Sequence, residues 1–375
     1  MVIGFDAKRA FKNKTGLGNY SRMLVGGVAG MYPDVECRLY SPSADGAFAK
    51  HFSGLGNVEV TTPAGMGRLF PHLWRSFVVS ARLTCDGVDI FHGLSHELPH
   101  FIPKRVKKMV TMHDLIVWRY PHLYKLFDRS VYRAKMRHSC KIADIVVAAS
   151  EQTKRDLQDF LHVPEQKIRV IYQSCDPMFW QPITEETKKE VLTRYKLPEH
   201  YIICVGTIER RKNQAAVVEA LARLPEDFHL VIVGGHSTDY YNTVVETVRR
   251  FNAGHRVHIL GKASFADFPA LYANAEMSMY VSAFEGFGIP ILESLCCDTP
   301  VITSNLSSMP EVGGDAALYV NPADIDDIVE KAMLLINDTE LRKRLIINGQ
   351  RQRQKFSTAE ISRQMYNLYK EIQSS

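Results

Sequence analysis

Two successive runs of short apolar segments alternating with helix-patterned ones constrain this chain more than any other feature. The first run places strands near residues 1–5, 37–40, 58–61, 88–92, 109–112, 145–149 and 168–171. Helical patterning lies between them over about 68–83, 119–141 and 151–161, the last opened by Ser150 as an N-cap. The second run places strands at 201–205, 230–233, 257–260, 277–281 and 301–303, followed by a helix-rich end. Glycines (Gly206, Gly234, Gly235, Gly261) follow three of these strands. Between the runs, the segment 176–182 carries Pro177 and Pro182 and reads as a linker. Strands that alternate with helices pair in parallel, so the chain predicts an α/β protein of two Rossmann-like domains with a cleft between them. The expected boundaries are 1–183 and 184–356, and at 375 residues with 46% hydrophobic content there is core enough for both.

The net charge of +5 conceals an asymmetry. Residues 1–183 hold 25 Lys/Arg against 16 Asp/Glu (+9), whereas 184–375 hold 21 against 25 (−4). A basic first half suits an anionic partner, a solvated set of helix faces being the plainer explanation. Much of the excess lies in the stretch 119–141, where Arg119, Lys125, Arg129, Arg133, Lys135, Arg137 and Lys141 alternate with Leu123, Leu126, Phe127, Val131 and Tyr132. Such a helix can be an interfacial surface for anionic lipid. No apolar run approaches the roughly 20 residues that span a bilayer, and the chain enters its first strand without a basic leader, which predicts cytoplasmic residence. The seven cysteines are scattered with no C-x-x-C pair, which points neither to a zinc site nor to a disulfide framework.

Three places carry candidate chemistry. Gly16 and Gly18 precede a helix-patterned stretch and form a glycine loop suited to a phosphate or sugar edge, or simply to a tight turn. His113-Asp114 closes a strand at its carboxyl end, where open α/β sheets bind ligands. The densest is Val281-Ser-Ala-Phe-Glu-Gly-Phe-Gly-Ile-Pro-Ile-Leu-Glu-Ser-Leu295. Proline at position 290 predicts a helix start, so the backbone N–H groups of Phe287, Gly288 and Ile289 point out of a helix N-terminus and suit a phosphate. Glu285 and Glu293 flank that loop, and carboxylates there suit sugar hydroxyls better than phosphate.

Together with the turn Val205-Gly-Thr-Ile-Glu-Arg-Arg-Lys-Asn213, the run Val231-Ile-Val-Gly-Gly235 and the segment Leu271-Tyr-Ala-Asn-Ala275, this stretch resembles the donor half of the family-4 retaining glycosyltransferases of GT-B fold. The resemblance extends through Gly16, Gly18 and His113 in the first half. It implies two Rossmann-like domains facing across a central cleft, the first for the acceptor and the second for the nucleotide sugar, with a helix over 357–375 crossing back to the first. It further implies that Glu293 accepts from the ribose hydroxyls and Glu285 from the transferred sugar. Phe287, Gly288 and Ile289 hold the diphosphate, Lys212 stabilises charge on the leaving group, and His113 lies against the sugar near its C6 hydroxyl. Gly16 and Gly18 let the first-domain loop come close. Relatives commonly have arginine where this chain has Thr207, and Arg211 is the expected replacement, with Arg210 the other candidate. The Glu-x-Arg-Lys-Asn turn resembles that of bacterial mannosyltransferases of surface polysaccharide assembly.

On this resemblance the expected activity is transfer of a hexose, mannose from GDP-mannose, with retention to a glycan or lipid-linked acceptor. No cofactor, no metal ion and no nucleic-acid partner are expected, and the protein would work in the cytoplasm or peripherally at the inner face of the membrane, in contact with anionic lipid. A UDP-sugar transferase, a nucleotide-sugar epimerase on the same fold and a non-catalytic carbohydrate- or membrane-binding module are the alternatives.

Overall fold

The computed structural model describes residues 1–64, 70, 73–235 and 239–374. The chain divides into two compact units, Met1–Cys175 with Ser357–Ser375, and Asp176–Phe356. The division falls before Ile183, the expected boundary. The cause is Phe179, fully buried and packed edge-on against Phe265 and Tyr272, which commits the proline-rich segment to the second unit.

The first unit is built on a seven-stranded parallel sheet. Its strands are β1 (Val2–Asp6), β2 (Glu36–Tyr40), β3 (Val58–Thr61), β4 (Ile90–Gly93), β5 (Lys107–Met112), β6 (Ile145–Ala148) and β7 (Ile168–Val170), in the order β3-β2-β1-β4-β5-β6-β7. The central strands β1, β4, β5 and β6 bury most of their side chains, as a sheet covered by helices on both faces requires, whereas the edge strand β3 buries none. Chain order reverses between β1 and β4, so their carboxyl ends open a crevice. Helix α1 (Gly16–Met31) and the last helix cover one face. That last helix, Thr358–Ser374, buries Ile361, Met365, Leu368 and Tyr369 in the same core as Ile3, Phe5 and Leu24. It comes so close to α1 that a Cβ on Gly27 would lie 2.2 Å from Ser362 Oγ.

Two expectations for this unit change. The helix over 119–141 is a short turn of helix at Ile116–Arg119, a 3-10 turn at Pro121–Leu123 and then α2 (Leu126–Ile142). Pro121 lacks the N–H that a continuous helix would use and drives Tyr120 out of helical geometry. Of the helix over 68–83, residues 68–69 and 71–72 lie outside the described residues; a wide turn at Trp74–Val78 leads into helix Val79–Cys85.

The second unit holds a six-stranded parallel sheet. It comprises β8 (Tyr201–Val205), β9 (His229–Val233), β10 (Val257–Leu260), β11 (Met277–Tyr280), β12 (Val301–Ser304) and β13 (Ala317–Val320), ordered β10-β9-β8-β11-β12-β13. β13 is a strand, not foreseen, within the end expected to be helix-rich. Four residues between a glycine pair and Asn321-Pro322 give too short a pattern to read, and pairing with β12 is what makes them a strand. Among the described residues no helix is long and apolar enough to cross a membrane.

Candidate functional site

In the second unit the site forms where β8, β9 and β11 end. Gly206 leaves β8 with φ 140° and Gly234 leaves β9 with φ 159°, conformations that side chains avoid. The two turns lie against each other: a Cβ on Gly234 would fall 2.1 Å from the Gly206 carbonyl, and one on Gly206 would press on the Lys212 side chain at 2.9 Å. These glycines therefore let Lys212 lie flat over the end of β8. Its ammonium donates to Tyr280 Oη at 2.8 Å and to Glu285 Oε1 at 2.9 Å.

Arg211 reaches the other oxygen, Glu285 Oε2, at 2.6 Å, and also pairs with Glu209. Its own carbonyl accepts from Ala283 N at 2.7 Å, which ties the lysine turn to the loop after β11. Arg210 instead lies over the Tyr240 ring. Of the two arginines weighed against Thr207, Arg211 is the one that joins Lys212 on a single carboxylate. Glu285 is only 8% exposed. Burial pushes its carboxyl up, but Lys212 and Arg211 outweigh that and hold it at about 2.

The loop then enters helix α3 (Ile289–Cys296), with Gly288 at φ 113° as its N-cap and Pro290 in the first turn. Two serines outside the motif fix the loop from behind. Ser307 Oγ donates to the Glu285 carbonyl at 2.6 Å, and Ser308 Oγ donates to the Phe287 carbonyl at 2.7 Å. The Phe287 ring is buried edge-on against Phe356. Glu293, inside the helix, is as buried as Glu285 but pairs with no cation among the described residues; Tyr272 Oη donates to its Oε2 at 2.9 Å. Burial pushes its carboxyl up to about 7, and the Tyr272 hydrogen bond offsets only part of the rise.

Arg211, Lys212 and Glu285 thus form one ion-paired group, with Phe287, Gly288, Ile289 and Glu293 on the adjoining loop and helix. Tyr272, Tyr280, Ser307 and Ser308 escaped the sequence reading. Tyr272 is in a segment quoted above, but only the fold aims its hydroxyl at Glu293.

The first unit has its own candidate group at the crevice between β1 and β4. His113 follows β5 and is 5% exposed; its Nε2–H donates to the Leu94 carbonyl at 2.9 Å and its ring stands edge-on to Tyr20. Burial, with His96 beside it, brings the imidazole down to about 3, so it is neutral near pH 7. Asp114 accepts from Ile116 N at 3.0 Å and shapes the turn after the strand. The two glycines lie within the first turn of α1, where a loop ahead of the helix was expected. Asn13 Oδ1 accepts from Thr15 N at 2.8 Å and from Gly18 N at 3.3 Å, so the helix starts early. Gly18 is needed for that contact, because a Cβ would sit 2.0 Å from the Asn13 carbonyl; Gly16 borders open space.

A cavity of about 190 Å³ opens beside these residues, walled by Arg9, Ser95, His96, Asp114, Tyr124 and Lys135 among others. Ser95 Oγ is buried with no hydrogen-bond partner among the described residues. Below it Glu97 gathers Lys8 at 2.9 Å, Lys135 at 3.4 Å and Arg75, which also holds Asp6 at 2.7 Å. Burial raises Glu97, but Arg75 and Lys8 carry it well below the usual carboxylate range. This network comes from four separate segments and has no local signature. Among the described residues no group of three or more His, Cys, Asp or Glu side chains is arranged to hold a metal ion.

Sequence comparison divides the chain at nearly the same place as its fold. Residues 15–178 match the profile described as Glycosyltransferase Family 4, and residues 185–352 match Glycosyl transferases group 1. O-antigen chain mannosyltransferase B of Escherichia coli is 29% identical over 373 residues, covering 95% of this chain and 96% of that protein. O-antigen chain mannosyltransferase RfbU of Salmonella typhimurium is 28% identical, covering 86% and 87%. Among solved structures, Anabaena Alr3699/HepE in complex with UDP and glucose superposes with a TM-score of 0.75 at 19% identity, over 98% of this chain and 99% of that one. WaaG, a glycosyltransferase involved in lipopolysaccharide biosynthesis, superposes with a TM-score of 0.70 at 16% identity, over 98% and 99%.

Proposed function

This chain belongs to glycosyltransferase family 4 and is a glycosyltransferase of GT-B fold, and from that premise we propose that it transfers mannose from GDP-mannose, with retention, to a glycan or lipid-linked glycan acceptor of surface polysaccharide assembly. The observation that carries the reading is the convergence of Lys212 and Arg211 on Glu285 beside the N-terminus of α3. A diphosphate at the N–H groups of Phe287, Gly288 and Ile289 competes with Glu285 for the Lys212 ammonium. Glu285 then turns an oxygen to the hydroxyls of the sugar. As the glycosidic bond breaks, negative charge grows on the leaving diphosphate, and Lys212 and Arg211 meet it without a metal ion.

Glu293 accepts from the ribose diol, each hydroxyl donating to a carboxylate oxygen in charge-assisted bonds worth roughly 1.5–3 kcal/mol. His113, neutral and held by Leu94, supplies a hydrogen-bonding edge rather than a charge, and the cavity walled by Arg9, Ser95 and Tyr124 takes the acceptor. Gly16, which borders open space, leaves room at the first turn of α1 for that approach, and Gly18 lets the same turn close on Asn13. The mannose assignment leans on the Escherichia coli and Salmonella relatives; a UDP-sugar donor is the alternative that the UDP-bound Anabaena structure favours.

A thermal-shift panel of GDP-, UDP- and ADP-sugars tests the donor. At a hundred times Kd a native-state ligand adds about 2.7 kcal/mol of stability, so GDP-mannose should raise the melting point most, and a larger rise with a UDP-sugar would overturn the GDP assignment. Transfer to a mannose-terminated acceptor should continue in excess chelator, and loss restored by a divalent ion would overturn the metal-free mechanism.

A further inference from the structure

Helix α2 buries Met136, Ser139 and Cys140 and turns its opposite face to solvent. Along that face Phe127, Ser130, Ala134, Arg137 and Lys141 follow one another at the three- and four-residue spacing that keeps side chains on one side of a helix. Leu126 lies four positions before Ser130 and joins them. The apolar end is fully presented: Leu126 is 71% and Phe127 78% exposed, and Leu123 in the preceding turn is 40% exposed. Large apolar side chains clustered this way on a soluble surface mark an interaction site.

The charges sort in the same sense. Arg133 is drawn inward to the Val117 carbonyl at 3.0 Å and Lys135 to Glu97 at 3.4 Å. Lys125, Arg129, Arg137 and Lys141 take part in no ion pair among the described residues, and the helix has a single acidic residue, Asp128. Unpaired cations beside exposed Leu and Phe match an interface whose surface is anionic and whose interior is hydrocarbon. A protein partner would need acidic groups ringing an apolar pocket, whereas a bilayer of anionic lipid offers both layers at once.

We propose that the exposed face of α2 docks on an anionic bilayer, with Leu126 and Phe127 entering the acyl boundary and Lys125, Arg137 and Lys141 lying in the headgroup layer. This deepens the reading that the acceptor is lipid-linked, and the surface is tested with no acceptor present, so that loss of docking and loss of transfer are separate results.

Sedimentation with phosphatidylcholine vesicles, with and without phosphatidylglycerol, is the test. The protein should pellet with the anionic vesicles and stay in solution with the neutral ones, and binding should weaken several-fold between low and high salt. Leu126→Ser with Phe127→Ser should weaken binding about tenfold, and Arg137→Glu with Lys141→Glu by a similar factor. Both pairs are exposed and should leave the melting point unchanged. Ile347→Ser, on an exposed position of the second unit, should change nothing. Equal binding to neutral vesicles, no binding to either, or unchanged binding by both double variants would overturn the proposal. Self-association in the absence of vesicles that the same substitutions abolish would also overturn it, by assigning the face to a second copy of the chain.

Discussion

Glu285 and Glu293 belong to one loop-helix segment and are almost equally buried, yet their carboxyls move in opposite directions, to about 2 and about 7. Burial pushes both up. Glu285 has Lys212 and Arg211 within ion-pair distance; Glu293 has one tyrosine hydroxyl. Partners, more than depth, decide the state of a buried acid here. The first is a fixed anion that holds two cations in place, and the second is an acid poised near neutrality.

The linkage signs of the two are opposite. Glu285, depressed in the fold, contributes stability above about pH 4.5 that is lost as pH falls through about 2. Glu293, raised in the fold, contributes stability below about 4.5 that is lost as pH rises through about 7. Glu285→Gln should therefore be the most damaging change, costing about 3–5 kcal/mol by stripping buried cations of their partner, read as a lower denaturation midpoint at pH 7.5. An unchanged midpoint would break the contrast. Next, Lys212→Ala should lower kcat about 10²–10³-fold with little change in donor affinity, leaving Arg211 to neutralise Glu285. Equal losses in kcat and affinity would assign it to ground-state binding.

A smaller effect of opposite sign is expected at the other carboxylate. At pH 8 Glu293→Gln should stabilise the apo protein by about 1–3 kcal/mol, because it removes a buried charge with no cation on it, and the gain should vanish near pH 5. Smallest is the pH dependence of ligand binding. The ionised form of Glu293 is the better acceptor for a diol, so GDP affinity measured by calorimetry should rise a few-fold from pH 6 to pH 8 and become flat in Glu293→Gln. A slope that persists in the variant would place the titration elsewhere.

This contrast also marks how far the residue pattern reaches. Both glutamates, the glycine loop and the lysine turn were legible because each is a local pattern with a local purpose: Pro290 opens a helix, Gly288 takes a left-handed cap, Gly206 gives room to a lysine. The doubly wound sheets were legible for the same reason, since most strands carry a short apolar run bounded by a turn. What sets the protonation of the two acids was not. Tyr272, Tyr280 and Ser307 reach the site from other elements, and nothing in a serine or a tyrosine announces which loop it will meet. The Glu97 network shows the same in the first unit. Strand β13 was missed because pairing makes it a strand, and the break at Pro121 was missed because charge patterning runs straight through it.

The helix Thr358–Ser374 follows the second unit in the chain but packs in the core of the first. During translation residues 176–356 emerge as an uninterrupted segment with all six of their strands, whereas the sheet of the first unit has been waiting since its last strand for the surface that covers it. Ile361, Met365 and Tyr369 reach it only after the second unit has been made, so the half of the protein begun first is completed after the other. A ribosome halted after Phe356 would release one complete unit and one with its apolar face still open, a fragment suited to capture by a chaperone.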